Sequence, residues 1–193
     1  KQVITVDTTK GAQTKEKIIC IAARLFLEKG YNATGINEIL EKSRVPKGSF
    51  YFHFANKKEL ASLVAEYYSR RLESWFRQCA DGKNWPDFIA ALVRDMKSLA
   101  ETGQHRGCPL GVLGVEIAFV EPEIAGQYAR SMDLLMGIFG QVLVNSGFTP
   151  ETAGHLARKA YFLLQGYLQY YRVTSQAQIF DDLQRDVTNM VKQ

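Results

Sequence analysis

A ten-residue stretch in the first third of the chain, Val45–Phe54 with the sequence VPKGSFYFHF, constrains the fold more than any other segment. It packs four aromatic residues into five positions and places Lys47, Gly48, Ser49 and His53 among or beside them. A buried helix or strand does not need the lysine and the histidine, and a solvated helix does not need so many aromatic side chains. The segment must therefore be anchored on one side and face a polar partner on the other.

The excess of basic residues is confined to the same part of the chain. Residues 1–60 hold 11 Lys/Arg against 6 Asp/Glu, whereas residues 61–193 hold 13 against 14. A confined basic excess favours contact with nucleic acid over a generally basic surface. The apolar fraction of 46% and the charged fraction of 23% are ordinary for a soluble globular protein, and 193 residues suffice for one large or two small domains.

Helical periodicity and capping residues predict three helices around this stretch. The first runs over Thr14–Lys29 with apolar residues on one face, and Gly30 ends it. A short helix follows over Ile36–Lys42, and Pro46 suits the first position of a third helix. Two short helices joined by a tight turn behind a longer one predict a helix-turn-helix, in which the second short helix reads DNA.

The remaining residues predict six further helices and no strand. A helix over 57–79, capped by Asn56, joins the first domain to a second without a flexible linker. Five more are expected over 85–102, 109–120, 122–145 and 150–173 and, through a capping box of Ser175 and Gln178, up to Val191. The predicted fold is all-α, with a flexible arm over 1–13, a helix-turn-helix domain over 14–56 and a helical domain over 57–193. The arm carries Lys1 and Lys10, and such basic arms enter the minor groove in some DNA-binding domains.

The residue types of the predicted reading helix indicate what each could do on a duplex. A lysine pairs with phosphate or guanine, a glycine allows close approach of the backbone, and hydroxyl and imidazole groups bond phosphate. Phe50 and Phe54 are expected to anchor the helix, and Phe52 could pack inward or contact a thymine methyl. Two more candidates stand at the starts of helices, where a phosphate is favoured. The candidate DNA-contacting residues are Thr34, Lys47, Gly48, Ser49, Tyr51, His53 and Lys57.

The same region carries a family motif. It comprises Ala23, Leu25, Phe26, Gly30 and Tyr31, then Ala33, Thr34, Ile36, Glu38 and Ile39, then Val45–Phe54, Lys57 and Leu60. Over Thr14–Leu60 the chain resembles the DNA-binding domain of the tetracycline-repressor (TetR) family. The resemblance implies an all-helical homodimer that binds a palindromic double-stranded DNA operator, with a C-terminal domain for dimerisation and for a small-molecule effector that releases the repressor.

Two positions depart from the family pattern. Arg44 stands where the family usually has a turn glycine, so a left-handed turn would be unfavourable there or the turn would differ. Gly35 replaces a common Thr or Ser, so one capping or phosphate-binding hydroxyl is absent.

The predicted helix over 150–173 contains Ala160–Tyr171, which is apolar on nearly every side. Such a helix must be covered all round, either within its own chain or by a second subunit. Coverage by a second subunit, together with the family resemblance, predicts a homodimer through the last two helices. Such a dimer would place two reading helices about one DNA turn apart.

A pocket for a largely apolar or aromatic effector is expected among the middle helices. The candidate lining residues are Phe76, Phe119, Tyr128, Met132, Met136, Tyr161, Phe162 and Gln165. Glu116 interrupts an apolar run and would lie either in solvent or as a polar anchor in the pocket.

Cys108 supports a separate hypothesis. It follows Gly107 at the start of a predicted helix and has His105 and Arg106 nearby. Helix N-termini and neighbouring cations lower the pKa of a thiol, so Cys108 could sense electrophiles or oxidants. Some TetR-like regulators with a similar Gly-Cys segment respond to such compounds through the cysteine of that segment. The alternative is a small residue that packs the start of the helix.

Two other classes of function remain open. An enzyme would need a catalytic motif, yet His53, His105 and His155 fall in no nucleophile, metal or phosphate-loop motif. An architectural DNA-binding protein would need no effector pocket. The three scattered cysteines match neither a metal site nor a disulfide framework, and no cofactor motif is present. Because no apolar run suits a signal peptide or a membrane span, we expect a cytoplasmic protein.

Overall fold

The computed structural model describes residues 10–191, and within that range it contains nine α-helices and no strand. They are α1 Lys10–Lys29, α2 Ile36–Ser43, α3 Lys47–His53, α4 Lys57–Ala80, α5 Trp85–Glu101, α6 Pro109–Ile117, α7 Pro122–Asn145, α8 Pro150–Thr174 and α9 Ile179–Asn189. The all-α prediction is confirmed. None of these helices is both long and apolar enough to cross a membrane.

Side-chain caps fix the starts of three helices. Asn56 accepts a hydrogen bond from the backbone N–H of Glu59 at 2.9 Å, and Asn84 accepts one from Asp87 at 3.0 Å. Thr149 does the same for α8. Each cap pairs one of the N–H groups that the first turn of a helix leaves free. The predicted starts of α4, α5 and α8 are confirmed.

Three predicted boundaries are wrong, one of which is the end of α6, at Ile117 and not at residue 120. Helix α1 begins at Lys10, so Lys10–Gln13 forms its first turn rather than part of an arm; residues 1–9 lie outside the described range. Ser175 does not cap α9. It ends α8 in the left-handed conformation, with φ of 56°, and its N–H bonds the carbonyl of Tyr171 at 2.7 Å.

The turn between α2 and α3 is the tight turn that the motif requires. Arg44 adopts the left-handed conformation, with φ of 54° and ψ of 43°, and its N–H donates to the carbonyl of Glu41. This conformation is unfavourable for a residue with a Cβ. Arg44, which stands in place of the usual turn glycine, therefore introduces local strain. Gly35 leaves α2 without a side-chain cap, also as expected.

The helices pack around two groups of buried side chains joined by α4. Helices α1, α2 and α3 enclose a small core that includes Ile18, Ile39, Phe50 and Phe54, all 0% exposed. Helix α4, 24 residues and about 36 Å long, continues into the second group. There α7 packs between α4 and α8, and α5 packs on α9. An aromatic cluster of Phe76, Trp85, Phe88, Phe139 and Tyr161 fills the centre.

Candidate DNA-reading face and effector cavity

Helix α3 presents one buried and one open side. Phe50 and Phe54 pack against each other with ring centroids 5.2 Å apart and are fully buried. Tyr51 is 53% exposed and Phe52 is 82% exposed, so Phe52 does not pack inward. Lys47 and Gly48 are exposed, and Ser49 and His53 are half-buried. The arrangement leaves polar and aromatic groups facing outward from a helix that is fixed by its own small core.

Gly48 has no packing role within residues 10–191. A Cβ placed there would meet nothing within 4 Å, and its φ is not in the left-handed region. A glycine in a helix is less favourable than alanine by about 0.5–1 kcal/mol. A glycine that neither conformation nor internal packing requires is consistent with close approach of an outside partner.

Two of the sequence candidates lie outside α3. Thr34 is 0% exposed, and its hydroxyl donates to the carbonyl of Gly30 at 2.7 Å. In this structure the Thr34 hydroxyl therefore stabilises the turn after α1, and a phosphate contact from Thr34 stays a prediction. Lys57 is half-buried with its Nζ 4.3 Å from the centroid of the Tyr31 ring, and burial lowers its pKa. Its contact with DNA remains a prediction.

The second group of helices holds the helix-turn-helix from several sides. Glu116 of α6 accepts a hydrogen bond from the backbone N–H of Asn32 at 3.0 Å. Lys58 at the start of α4 forms ion pairs with Glu121 at 3.1 Å and Glu123 at 2.9 Å. Glu116 is thus neither a solvent-facing residue nor a pocket anchor. Its role was missed because the sequence gives no sign that α6 ends beside the turn after α1.

Arg172 of α8 makes a further contact with the first domain. Its Nη2 donates to the carbonyl of Leu27, in the last turn of α1, at 2.8 Å. Its Nη1 donates to the carbonyl of Arg106, in the loop before α6. One guanidinium therefore joins α8, the 102–108 loop and α1.

A cavity of about 450 Å³ lies between α4, α5 and α8. Its wall is mainly apolar and includes Leu72, Trp75, Phe76, Leu164 and Leu168. Leu27 of α1 also lines it, so the cavity reaches the DNA-binding domain. This volume is within the range of about 300–1,000 Å³ of small-molecule sites.

A few polar groups lie along the wall. Gln165 donates to the Sγ of Cys108 at 3.4 Å. Burial lowers the pKa of His105 to about 4, so its imidazole is neutral at pH 7. Its Nδ1 accepts a hydrogen bond from the N–H of Gly107 at 3.1 Å. Apart from two arginines, Arg71 and Arg106, no lining side chain in the described range is charged at neutral pH.

The thiol of Cys108 does not have the properties expected of a reactive thiolate. Burial raises its pKa, and this outweighs the hydrogen bonds from the N–H groups of Leu110 and Gly111 and from Gln165, which lower it. The expectation that the helix start and nearby cations lower this pKa is corrected. A protonated thiol reacts slowly with electrophiles, so the geometry favours the packing role.

The sequence candidates for the pocket divide into three groups. Phe76, Cys108 and Gln165 line the cavity. Tyr128, Met132, Met136 and Tyr161 are buried or half-buried but do not line it. Phe119, 97% exposed, and Phe162, 59% exposed, lie at the surface and do not line it either. Periodicity could not separate these aromatics, because Phe119 lies in the turn after α6 and several faces of α8 are apolar.

Comparison with known proteins identifies the family. Residues 18–64 match the family described as bacterial regulatory proteins, tetR family, and residues 87–186 match the LmrA/YxaF-like transcriptional regulator C-terminal domain. The uncharacterized HTH-type transcriptional regulator YxaF of Bacillus subtilis is 30% identical over 161 residues, covering 82% of this chain and 84% of that protein. The chain belongs to the TetR family.

Other TetR relatives agree with this assignment. The HTH-type transcriptional regulator LmrA of Bacillus subtilis is 33% identical over 109 residues, covering 53% of this chain and 56% of that protein. The reduced form of Escherichia coli NemR has a TM-score of 0.78 at 20% identity, over 91% of this chain and 96% of that one. A TetR regulator from Agrobacterium tumefaciens has a TM-score of 0.82 at 16% identity, over 94% and 98%. The TetR chain is thus a helix-turn-helix transcriptional regulator, not an enzyme.

Proposed function

We propose that this TetR regulator is a cytoplasmic homodimeric repressor that leaves a palindromic operator when a small, largely apolar or aromatic effector fills the cavity. The observation that carries the proposal is the wall of that cavity, in which Leu27 of α1 stands with residues of α4, α5 and α8. An effector bound there would touch the domain that carries the reading helix. An architectural DNA-binding protein needs no such cavity.

Operator selection from random DNA, followed by release with candidate small molecules, tests the proposal. We expect a palindromic site bound at least 1,000-fold more tightly than random DNA at matched salt, in line with the roughly 10³–10⁷ range of specific regulators. Effectors should raise the melting temperature and weaken operator binding together. Equal affinity for operator and random DNA would refute the regulatory proposal.

Replacing Lys47 by alanine is expected to weaken operator binding at least tenfold, because a lysine–phosphate or lysine–guanine contact is lost in each half-site. A good base contact contributes about 1–3 kcal/mol. If Lys47 binds phosphate, the slope of log affinity against log salt should fall by about two per dimer. If it reads guanine, specificity should relax at one base pair of each half-site instead. Fluorescence anisotropy over a salt series distinguishes the two.

Lys83→Ala is the matched control for this change. Lys83 lies in the turn after α4, at the opposite end of that long helix from α3. The variant removes the same charge, so any loss that reflects net charge alone should appear in both. Equal weakening by the two variants would show that Lys47 makes no direct contact.

An outward stripe on α8 supports dimerisation through α8 and α9. Phe162, Tyr170 and Val173 are exposed there, and a Cβ at the neighbouring Gly166 would meet no described atom of the chain within 4 Å. These positions share one helix face at i, i+4 and i+3 spacing. Glycine at its centre lets a partner helix approach closely.

Gly166→Arg is therefore expected to convert a dimer into a folded monomer and to weaken operator binding more than tenfold. Gly154→Arg is the control, because Gly154 is also open but lies off the stripe. Light scattering gives the mass, and far-ultraviolet circular dichroism checks the fold. A dimer in both variants would place the interface elsewhere.

A further inference from the structure

We propose that the effector is a planar aromatic acid, whose ring lies against Trp75 and Phe76 and whose acidic group pairs with Arg71. This inference rests on the proposed function, because it names the ligand class of the same cavity. It is carried by three observations: the charge of the cavity wall, the ion pairing of the α4 arginines and the internal hydrogen bonds of the aromatic side chains in the wall.

The cavity offers positive charge and no negative charge. Arg71 and Arg106 line it, and neither Asp nor Glu does so within the described residues. A cationic ligand would find no counter-ion there, whereas an anion would find a guanidinium, whose planar fork matches a carboxylate. A cation is therefore disfavoured and an anion favoured.

Arg71 differs from the other arginines of α4. Arg70 is 3.9 Å from Glu66, and Arg77 is 2.9 Å from Glu73, so both pair with a carboxylate one turn earlier. Arg71 has no such ion pair among the described residues and lies over the Tyr67 ring, 5.4 Å from its centroid. The α4 arginine that lines the cavity is thus the one left without a carboxylate.

The aromatic side chains of the wall have their polar atoms already bonded to the protein. The indole N–H of Trp75 donates to Asp95 at 2.9 Å, and the hydroxyl of Tyr68 donates to the carbonyl of Ala23 at 2.8 Å. Together with Phe76, their rings form the aromatic part of the cavity wall. Ring surface of this kind favours a planar aromatic body.

The interior of the cavity is suited to the uncharged end of such a ligand. The neutral imidazole of His105 and the protonated thiol of Cys108 carry no charge that would hold a buried anion. The acidic group therefore stays beside Arg71, which is exposed at the rim. Burying an unpaired carboxylate deeper would be strongly unfavourable.

Calorimetric titration of the full-length protein with benzoate, 2-naphthoate and biphenyl-4-carboxylate, each against its primary amide, tests the inference. We expect at least one acid to bind about tenfold or more tightly than its amide. This factor corresponds to the lower end of the free-energy range of charge-assisted hydrogen bonds, because the rim of the cavity is open to solvent. Arg71→Met should remove this preference, and Arg71→Lys should restore part of it. Arg70→Met, the adjacent control, should retain it.

The possible failures can be told apart by measuring operator release in the same samples. Amides that bind and release the operator as well as acids, with Arg71→Met unchanged, would overturn the inference and leave effector control intact. If no acid of the panel binds while operator binding is normal, the inference is also overturned. If the unliganded protein shows no operator preference, the proposed function itself fails, whatever the acids do.

Discussion

Replacing Phe50 by alanine is expected to lower the free energy of unfolding of the DNA-binding domain by about 3–5 kcal/mol, the range for deletion of a buried phenyl group. Phe50 is 0% exposed and packs on Phe54 at a centroid distance of 5.2 Å. The cavity left behind cannot be filled by neighbours that are themselves in a small core. Because α3 is only seven residues long, it depends on this packing for its position.

The loss of stability in Phe50→Ala should also weaken operator binding. We expect operator affinity of Phe50→Ala to fall by more than 100-fold, since the reading helix loses the contact that orients it. Urea denaturation monitored by circular dichroism gives the stability, and fluorescence anisotropy with operator DNA gives the affinity. A less cooperative urea transition would indicate that the helix-turn-helix unfolds before the second domain.

Phe52→Ala is the matched control, two positions away in the same helix. Phe52 is 82% exposed, so the same substitution should change the free energy of unfolding by no more than about 0.5 kcal/mol. Any loss of operator affinity in this variant would then report a direct contact, such as one with a thymine methyl. Similar destabilisation by both substitutions would contradict the assignment of Phe50 as the anchor.

The contrast between these two phenylalanines shows what a sequence can predict. Phe50 lies in α3 and Phe54, four residues later, is its C-cap, while Pro46 caps the start of the helix, so their shared face follows from local rules. The same applies to most helix bounds and to the fold class. Local spacing is enough where an element is short and its caps are clear.

The sequence could not predict features that depend on packing between distant elements. Phe119 and Phe162 belong to the same residue class as Phe76, yet only Phe76 lines the cavity, because the face of a helix that a neighbour covers depends on distant elements. Thr34 has the residue type of a phosphate contact, but the turn after α1 uses its hydroxyl internally. That Arg71 has no carboxylate partner among the described residues can be seen only in the folded structure.

Gly30 and Glu116 lie where the two domains meet. Gly30 has φ of +97°, and a Cβ there would lie 2.7 Å from the Oε1 of Glu116, which also accepts the Asn32 N–H. Helix α6, which carries Glu116, begins at the cavity with Cys108 as its N-cap. A single short helix thus runs from the cavity wall to the turn that follows α1.

Gly30→Ala is expected to destabilise the protein by about 2–3 kcal/mol, because two effects add. A left-handed conformation disfavours a side chain by about 1–2 kcal/mol, and moving the Glu116 carboxylate away breaks its bond to Asn32, for about another 1 kcal/mol. In a Glu116→Ala background only the first effect should remain. The double-mutant cycle should therefore give a coupling energy of about 1 kcal/mol by urea denaturation.

The same cycle tests how the cavity communicates with the reading helix. If α6 transmits effector binding through Glu116, then Glu116→Ala should bring the operator affinities with and without effector closer together, with effector affinity retained. Glu101→Ala is the control: it removes an exposed carboxylate at the end of α5, distant in sequence from this turn. Zero coupling between Gly30 and Glu116, with an unchanged effector response, would mean that α6 and the turn after α1 do not contact each other in solution. Coupling would in that case pass through other contacts between the cavity wall or its loop and α1, such as Arg172 with the carbonyl of Leu27 and Tyr68 with the carbonyl of Ala23.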